Sequence, residues 1–417
     1  MTMAMLIAGA LVFGQADVPD GFDLQVKSLV RQLDDDEVAR RIEAEEMLIG
    51  LGPKVLDFLP AVTPRTSSEV KDRLGRIRST LEKAAAESAT NASLVTLKGE
   101  MSLADALAKM EAQTGNKVAG HENRSGTVKV DFDKTPYWTA LDEVLDQAEL
   151  TINPYGGLAR TIAVMARPGE SQPRGGNAAY NGIFRFEAVQ ATAIRDLRNP
   201  QVNGMRVAVE VGWEPRTVPI SLSIPTDQVE AKDENGEILP GDAVRREIER
   251  AGRADMSVAD FDIPFQLPDR SSRKIASLKG TMKVMIPGRV ETFTFDDLER
   301  GRDVQQTRAG VTVTFERLRK NVELYEIRTR LTFDEAANAL ESHRGWVYNN
   351  EAYLLDSKGT KVMPATYETT RQEINEVGMA YLFDLAKGPA GHKFVYKTPA
   401  AIIRMLVEFE LKGIELP

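Results

Sequence analysis

The spacing of apolar residues changes once along this chain, and that change limits the fold more than any other feature. Up to about residue 90 they recur every three or four positions. Phe22, Val26, Leu29, Val30 and Leu33 form one run, Val38, Ala44, Leu48 and Leu51 a second, and Val70, Leu74, Ile77 and Leu81 a third. That period puts a stripe on one face of a helix. From about residue 180 the period becomes two. Met205, Val207, Val209 and Val211 alternate with Arg206, Ala208 and Glu210, and similar runs start at Val218, Ile263, Val311 and Met405. Alternation puts one set of side chains on one face of a strand. Turn-forming pairs fall between the runs: Asn235-Gly236, Pro240-Gly241, Pro287-Gly288, Lys358-Gly359 and Gly388-Pro389. The order predicts a multidomain α+β chain: N-terminal helical hairpins, a small duplicated βαβ domain, then two antiparallel, immunoglobulin-like β-sandwiches of about 100 residues each.

Punctuation sets the boundaries. The helical segment covers 20–90. Asp34-Asp35-Asp36 breaks its first run and offers an N-cap, Gly52 stops the second helix, Pro53 starts another, and Ser67-Ser68 precedes the last. The Pro/Gly-rich stretch 169–179 reads as a linker. The sandwiches are assigned to 180–300 and 301–417, divided near Arg300-Gly301, with a short helix at Asp334–Glu341 capped by Asp334.

Residues 92–168 contain an internal repeat. Met101-Ser102-Leu103-Ala104-Asp105-Ala106-Leu107 aligns with Thr135-Pro136-Tyr137-Trp138-Thr139-Ala140-Leu141, 34 residues later, and the same offset aligns Gln113 with Gln147. Each copy reads as a strand, a capped amphipathic helix and a short strand. Ser102 with Asp105 is a capping-box pattern, and Thr135-Pro136 an N-cap with an N1 proline. Together they predict one small sheet with two helices on one face. Trp138 lies on the inner stripe of the second helix.

Two resemblances attach to these segments. Met101–Leu107, Gln113-Thr114-Gly115-Asn116-Lys117-Val118, Val128-Lys129-Val130 and Trp138–Leu145 resemble the short N-terminal (STN) domain of secretins and TonB-dependent transporters. That resemblance implies an envelope interaction module without catalysis. No alternating lipid-facing strands with aromatic girdles follow, so no transporter or secretin role comes with it. Glu37-Val38-Ala39-Arg40-Arg41, Leu51-Gly52-Pro53 and Glu69-Val70-Lys71 resemble HEAT-type helical repeats over about one and a half units, and a plain helical bundle fits them equally. The β-rich half is similar to exported bacterial proteins of no assigned activity, on Gly212-Trp213-Glu214-Pro215-Arg216, Glu341–Glu351 and the ending Ile414-Glu415-Leu416-Pro417.

Composition bears on compartment and partners. The chain has no cysteine, which removes disulfides, thiolate metal sites and cysteine nucleophiles. Met5–Phe13 is apolar and is followed by Gly14-Gln15-Ala16, so residues 1–16 read as a signal peptide, although no Lys or Arg precedes the apolar run. That absence leaves two other readings, a true start upstream or a buried strand or helix. Export to the periplasm or beyond follows from a signal peptide, and no later stretch is long and apolar enough to span a bilayer. A net charge of −9 argues against nucleic acid as a partner.

Residues capable of chemistry are scattered. His121, His343 and His392 lie in three separate segments, with Glu341 the one carboxylate paired by spacing with any of them. No Gly-x-Ser-x-Gly elbow or phosphate loop occurs. Asp233-Glu234-Asn235-Gly236-Glu237 reads as a hairpin turn rather than a calcium loop. No catalytic, cofactor or metal set is predicted. Four residues stand out as a candidate ligand or partner surface: Trp213, Arg344, Trp346 and Tyr348. The sequence therefore predicts a non-enzymatic envelope scaffold that binds other envelope proteins. The alternatives are a carbohydrate- or cell-wall-binding protein using the sandwich half, and a hydrolase with an unrecognised site.

Overall fold

The computed structural model describes residues 21–417 apart from 61, 64–65, 170–177, 200–201, 242–245, 254, 334–346, 349, 374 and 387. The expected signal peptide, most of the linker and the helix expected at 334–341 lie outside the described residues. The chain divides into two compact units, Met1–Ala85 and Ala86–Pro417.

The first unit is helical. α1 (Phe22–Gln32), α2 (Val38–Gly50), a 3-10 segment (Pro53–Phe58) and α3 (Ser68–Thr90, whose end runs into the second unit) follow the apolar stripes. Val26, Leu33, Ala44, Leu48, Val55, Leu74 and Ile77 form the core. Two details differ from expectation. Glu37 is the N-cap of α2 and makes no side-chain cap bond. Asp35 acts one step earlier, with its Oδ1 accepting from the Glu37 N–H at 2.9 Å. The segment after Gly52 is 3-10 rather than α-helical, entered through a left-handed glycine at φ 83°.

The second unit starts with the repeat. Its elements are β1 (Leu94–Ser102), α4 (Leu103–Thr114), β2 (Lys117–Ala119), β3 (Thr127–Pro136), α5 (Tyr137–Gln147), β4 (Leu150–Ile152) and β5 (Thr161–Ala166). The two halves match in contacts as well as order. Gln113 accepts from the Thr96 N–H (2.8 Å) and donates to the Thr96 carbonyl (3.1 Å). Gln147 does the same to Lys129, at 2.8 and 3.0 Å. Each glutamine thus ties the end of its helix to the strand before it. Ser102 caps α4 as expected, its Oγ accepting from the Asp105 N–H at 3.1 Å, while the Asp105 carboxylate accepts from the Ser102 hydroxyl at 2.8 Å rather than from its backbone N–H. The second helix is capped one residue later than expected, at Pro136, with no side-chain cap bond. The expected single sheet is instead two. β1 and β3 pair antiparallel, while β5 gathers the short strands, parallel to β2 and antiparallel to β4. The long strands satisfy each other, so the three-residue strands need a separate partner.

The remaining strands are β6 (Ala178–Asn181), β7 (Phe184–Ile194), β8 (Gly204–Trp213), β9 (Ser221–Pro225), β10 (Glu230–Asp233), β11 (Ile238–Leu239), β12 (Glu247–Ala251), β13 (Val258–Phe265), β14 (Lys274–Phe295), β15 (Val304–Arg308), β16 (Val311–Asn321), β17 (Leu324–Phe333), β18 (Ala352–Leu355), β19 (Lys361–Val362), β20 (Thr366–Glu373), β21 (Glu376–Phe383) and β22 (Lys393–Glu415). They build three antiparallel sheets with two cores between them. The sheet β13-β8-β7-β6 contributes Phe186, Val209 and Phe261 to the first core, and β15-β16-β17-β21-β20 contributes Val313, Ile327 and Met379 to the second. The middle sheet serves both, because β14 and β22 pair along nearly their whole length. Their Leu278 and Phe409 enter the first core, Phe293 and Phe394 the second. Division near Arg300 therefore does not separate the cores, since the last strand of the chain returns to the first. Pro287-Gly288 is no turn: Pro287 pairs with Ile402 inside β14. It lies beyond the last β9 contact of β14, at Met285, where the missing N–H costs no ladder bond on that side. Gly280 permits the close packing of the first core, because a Cβ there would come within 2.6 Å of the Phe409 ring. That ring stacks on Phe186 at 4.8 Å.

Candidate functional site

The densest polar chemistry lies at the seam between the repeat and the first sheet. Trp138 on α5 is buried, and its indole N–H donates to the Ile183 carbonyl at 2.8 Å. Gly212 makes room for it: a Cβ there would sit 3.2 Å from the ring. Val258 on β13 joins the core of the repeat directly.

Two buried charge clusters lock this seam. Glu214, fully buried just past β8, accepts from the Ser93 N–H (2.8 Å) and hydroxyl (2.5 Å), the Asn116 amide (2.8 Å) and Arg216 Nε (2.7 Å). Arg216 also donates to the Asn91 carbonyl, and its N–H to Asn116 Oδ1. In the second cluster Asp142 of α5 accepts from the Tyr180 hydroxyl and Arg185 Nε, both at 2.7 Å. Arg185 is fully buried and donates onward to Glu187 at 2.8 Å. Burial alone would ease the proton off Arg185, but Asp142 and Glu187 outweigh it and hold the guanidinium above its ordinary range. Burial, then the neighbouring Asp142, pushes the Tyr180 phenol up. The Tyr137 phenol is driven well above its usual value by burial and then by Glu214. These shifts keep the Arg185 guanidinium charged and the Tyr180 and Tyr137 phenols neutral near neutrality. With both of its oxygens taken by four donors, Glu214 works as a clamp rather than a base.

The residues singled out in sequence are not brought together. Trp213 is buried in the first core, because the alternation of β8 turns it inward; it is not part of an exposed surface. Arg344 and Trp346 lie outside the described residues. Tyr348 is half-buried against the second core and stacks on half-exposed Tyr367, with centroids 6.2 Å apart and planes 11° apart. Gln372 donates to its hydroxyl at 2.6 Å. Behind this pair lie Tyr381 and Tyr396, with Asn350 donating to the Tyr396 hydroxyl at 2.9 Å. Burial raises the Tyr396 phenol to about 12. The residues missed in sequence are Ser93, Asn116, Asp142, Arg185 and Glu214. The one local signal was the Glu214-Pro215-Arg216 triplet, an opposite-charge pair two residues apart after an apolar strand.

His121 and His392 are in separate loops, and His392 Nδ1 lies 3.2 Å from the Pro389 carbonyl. The 233–237 segment is a hairpin turn, in which Asp233 Oδ1 accepts from the N–H groups of Asn235 and Glu237. Among the described residues no three His, Asp or Glu side chains converge as a metal site, and no helix is long and apolar enough to cross a membrane. No protein family, characterised protein or solved structure matches the chain.

Proposed function

We propose that the chain is a non-enzymatic scaffold of the bacterial cell envelope, exported by its N-terminal segment, which presents interaction surfaces to other envelope proteins. In this reading 92–168 is an STN-like module, the N-terminal helices are HEAT-like, and the sandwiches are immunoglobulin-like spacers. One observation supports it above the others: the buried charges of the second unit are spent on fixing the repeat to the first sheet. A buried ion cluster is a costly way to gain stability but a selective way to fix one arrangement. A module that offers a partner a fixed surface needs that. The test combines fractionation with crosslinking in cells, for the wild type and Glu214→Gln. The amide of the variant places an N–H₂ among four donors, so the seam should open to protease between residues 86 and 93 and envelope crosslinks should drop. A cytosolic wild-type protein, or one that crosslinks to no envelope protein, sinks the proposal.

A second reading is carbohydrate binding at the Tyr348–Tyr367 pair, favoured by an exposed stacked ring beside the Gln372 amide. Tyr367→Ala should abolish retention on cell-wall polymers while leaving the melting temperature within a few degrees. Unchanged retention removes this reading.

A further inference from the structure

Without cysteine, this chain cannot be stapled through sulfur, and no thiol competes for an oxidant. Phenols offer another route. One-electron oxidation turns a phenol into a phenoxyl radical, and two such rings can join through their ortho carbons. Among the described residues, Tyr348 and Tyr367 are the one pair of tyrosines with parallel rings, 6.2 Å between centroids and 11° between planes. Tyr367 is 48% exposed and Tyr348 is half-buried, so an oxidant reaches the pair from solvent.

The surroundings favour these two rings over the other tyrosines. Tyr155 is 81% exposed but has no ring neighbour, so it can couple only to another molecule. Tyr381 and Tyr396 stand behind the pair, with Tyr381 6.4 Å from Tyr367 and 6.2 Å from Tyr396. Both are buried, and burial pushes both phenols up. A phenol that holds its proton does not settle as a neutral radical. An electron lost from either is therefore refilled from the outer pair, whose protons leave to water. The Tyr348 oxygen accepts from the Gln372 amide at 2.6 Å, which leaves its own hydroxyl hydrogen outside that bond.

We propose that Tyr348 and Tyr367 are an oxidative modification site, joined as dityrosine by a haem peroxidase acting with hydrogen peroxide. Each ring gives up one electron and its phenolic proton. The two radicals pair their electrons in a new bond between ortho carbons. The hydrogen on each joined carbon then leaves as a proton, and a proton from water restores each hydroxyl. The two electrons and two protons removed reduce one hydrogen peroxide to two waters. The bond closes a loop that contains β18 and β19, and it ties β20 to the segment before β18. β20 is the edge strand of its sheet, pairs with β21 on one side and exposes all eight residues. An open edge is where foreign strands add, and the staple holds it closed. This inference goes beyond both readings above and rests on neither, because partner crosslinks and polymer retention can fail while the tyrosines couple, and the reverse.

The test treats dilute full-length protein with a haem peroxidase and hydrogen peroxide. The expected product is a single chain lighter by two hydrogens, with dityrosine fluorescence, whose digest joins the peptides that carry Tyr348 and Tyr367. Tyr348→Phe and Tyr367→Phe keep the ring and remove the phenol, and each should cut this product at least about tenfold, since proximity makes it. Tyr155→Phe, at the most exposed tyrosine, should leave it unchanged. Matching thermal melts before oxidation confirm folding. In the crosslinked chain, amide exchange in β20 should slow roughly tenfold or more, as expected of a bond that closes a short loop. A product that survives either variant, maps to another pair or joins separate chains overturns the inference. So does an uncoupled chain under conditions that couple free N-acetyltyrosine, or unchanged β20 exchange in the crosslinked one.

Discussion

The two units of this chain both hold Arg–carboxylate networks, and they use them in opposite ways. In the helical unit Glu45 bridges Arg73 (2.6 Å) and Arg76 (2.8 Å), and Glu69 bridges Arg73 (2.8 Å) and Arg41 (2.9 Å). Arg73 and Glu45 at its centre are largely covered, but their further partners Arg76 and Glu69 are about half exposed, so water can take over at that rim from a lost partner. In the second unit Arg185 and Asp142 are fully buried, and water cannot. Surface pairs contribute between nothing and about 1 kcal/mol each. Breaking a buried pair costs about 3–5 kcal/mol, because it strands a charge. The same chemistry is thus adjustable trim in one unit and a structural commitment in the other.

The largest expected effect follows directly. Asp142→Ala leaves the buried Arg185 guanidinium with Glu187 as its one ion partner and strands the Tyr180 hydroxyl, and should destabilise the second unit by about 3 kcal/mol in denaturant unfolding. The triple change Asp142→Leu, Arg185→Met and Glu187→Gln removes the charges of the cluster together, so it should recover most of that loss. The comparison with the helical unit breaks if the triple variant is as unstable as the single one, since packing would then explain the cost. It also breaks if Asp142→Ala costs less than about 1 kcal/mol, since the cluster would then behave like a surface pair.

A middle-sized effect tests the repeat. Gln113 and Gln147 make the same pair of backbone bonds one repeat apart. Gln113→Ala and Gln147→Ala should each cost about 1–2 kcal/mol, at about 1 kcal/mol per lost neutral hydrogen bond. The two losses should add, as the clamps share no partner. Unequal losses would mean that the halves, alike in sequence, carry different loads.

These clamps also mark how far the sequence could be read. The 34-residue offset aligns the two glutamines, and their partners follow it, because a repeated local motif repeats its local contacts. The helical stripes, the Ser102 cap and the alternation of β8 were legible for the same reason: each depends on residues a few positions apart. The seam was not. Glu214 meets Asn116 and Ser93, which are 98 and 121 positions away in the chain. Phe184-Arg185-Phe186-Glu187 reads as an ordinary strand with a wet outer face, and only packing against α5 turns Arg185 into a buried cation. The continuity of β14 was hidden by Pro287-Gly288, a local turn signal that the strand ignores where it has no β9 neighbour. Trp213 failed as a surface residue because one strand's alternation does not say which face is covered.

The smallest effect belongs to the helical unit and has a definite sign with pH. Glu45 is held below the usual carboxylate range, first by its hydrogen bond to Arg76, with burial opposing and Arg73 adding to the shift. A carboxyl that binds its proton less readily when folded stabilises the fold above its unfolded value, about 4.3. That stabilisation is lost as pH falls through the lower folded value. Glu45→Gln should therefore be less stable than wild type at pH 7, by no more than about 1 kcal/mol given the exposure of Arg76. The gap should close below pH 4 and shrink in ~1 M salt, where the screening length falls to about 3 Å. Amide exchange in α2 and α3 isolates this unit from the rest of the chain. A gap that persists unchanged at pH 3 would mean that Glu45 stabilises the helices by packing rather than by charge. The helical network would then resemble the buried one more than its exposure implies.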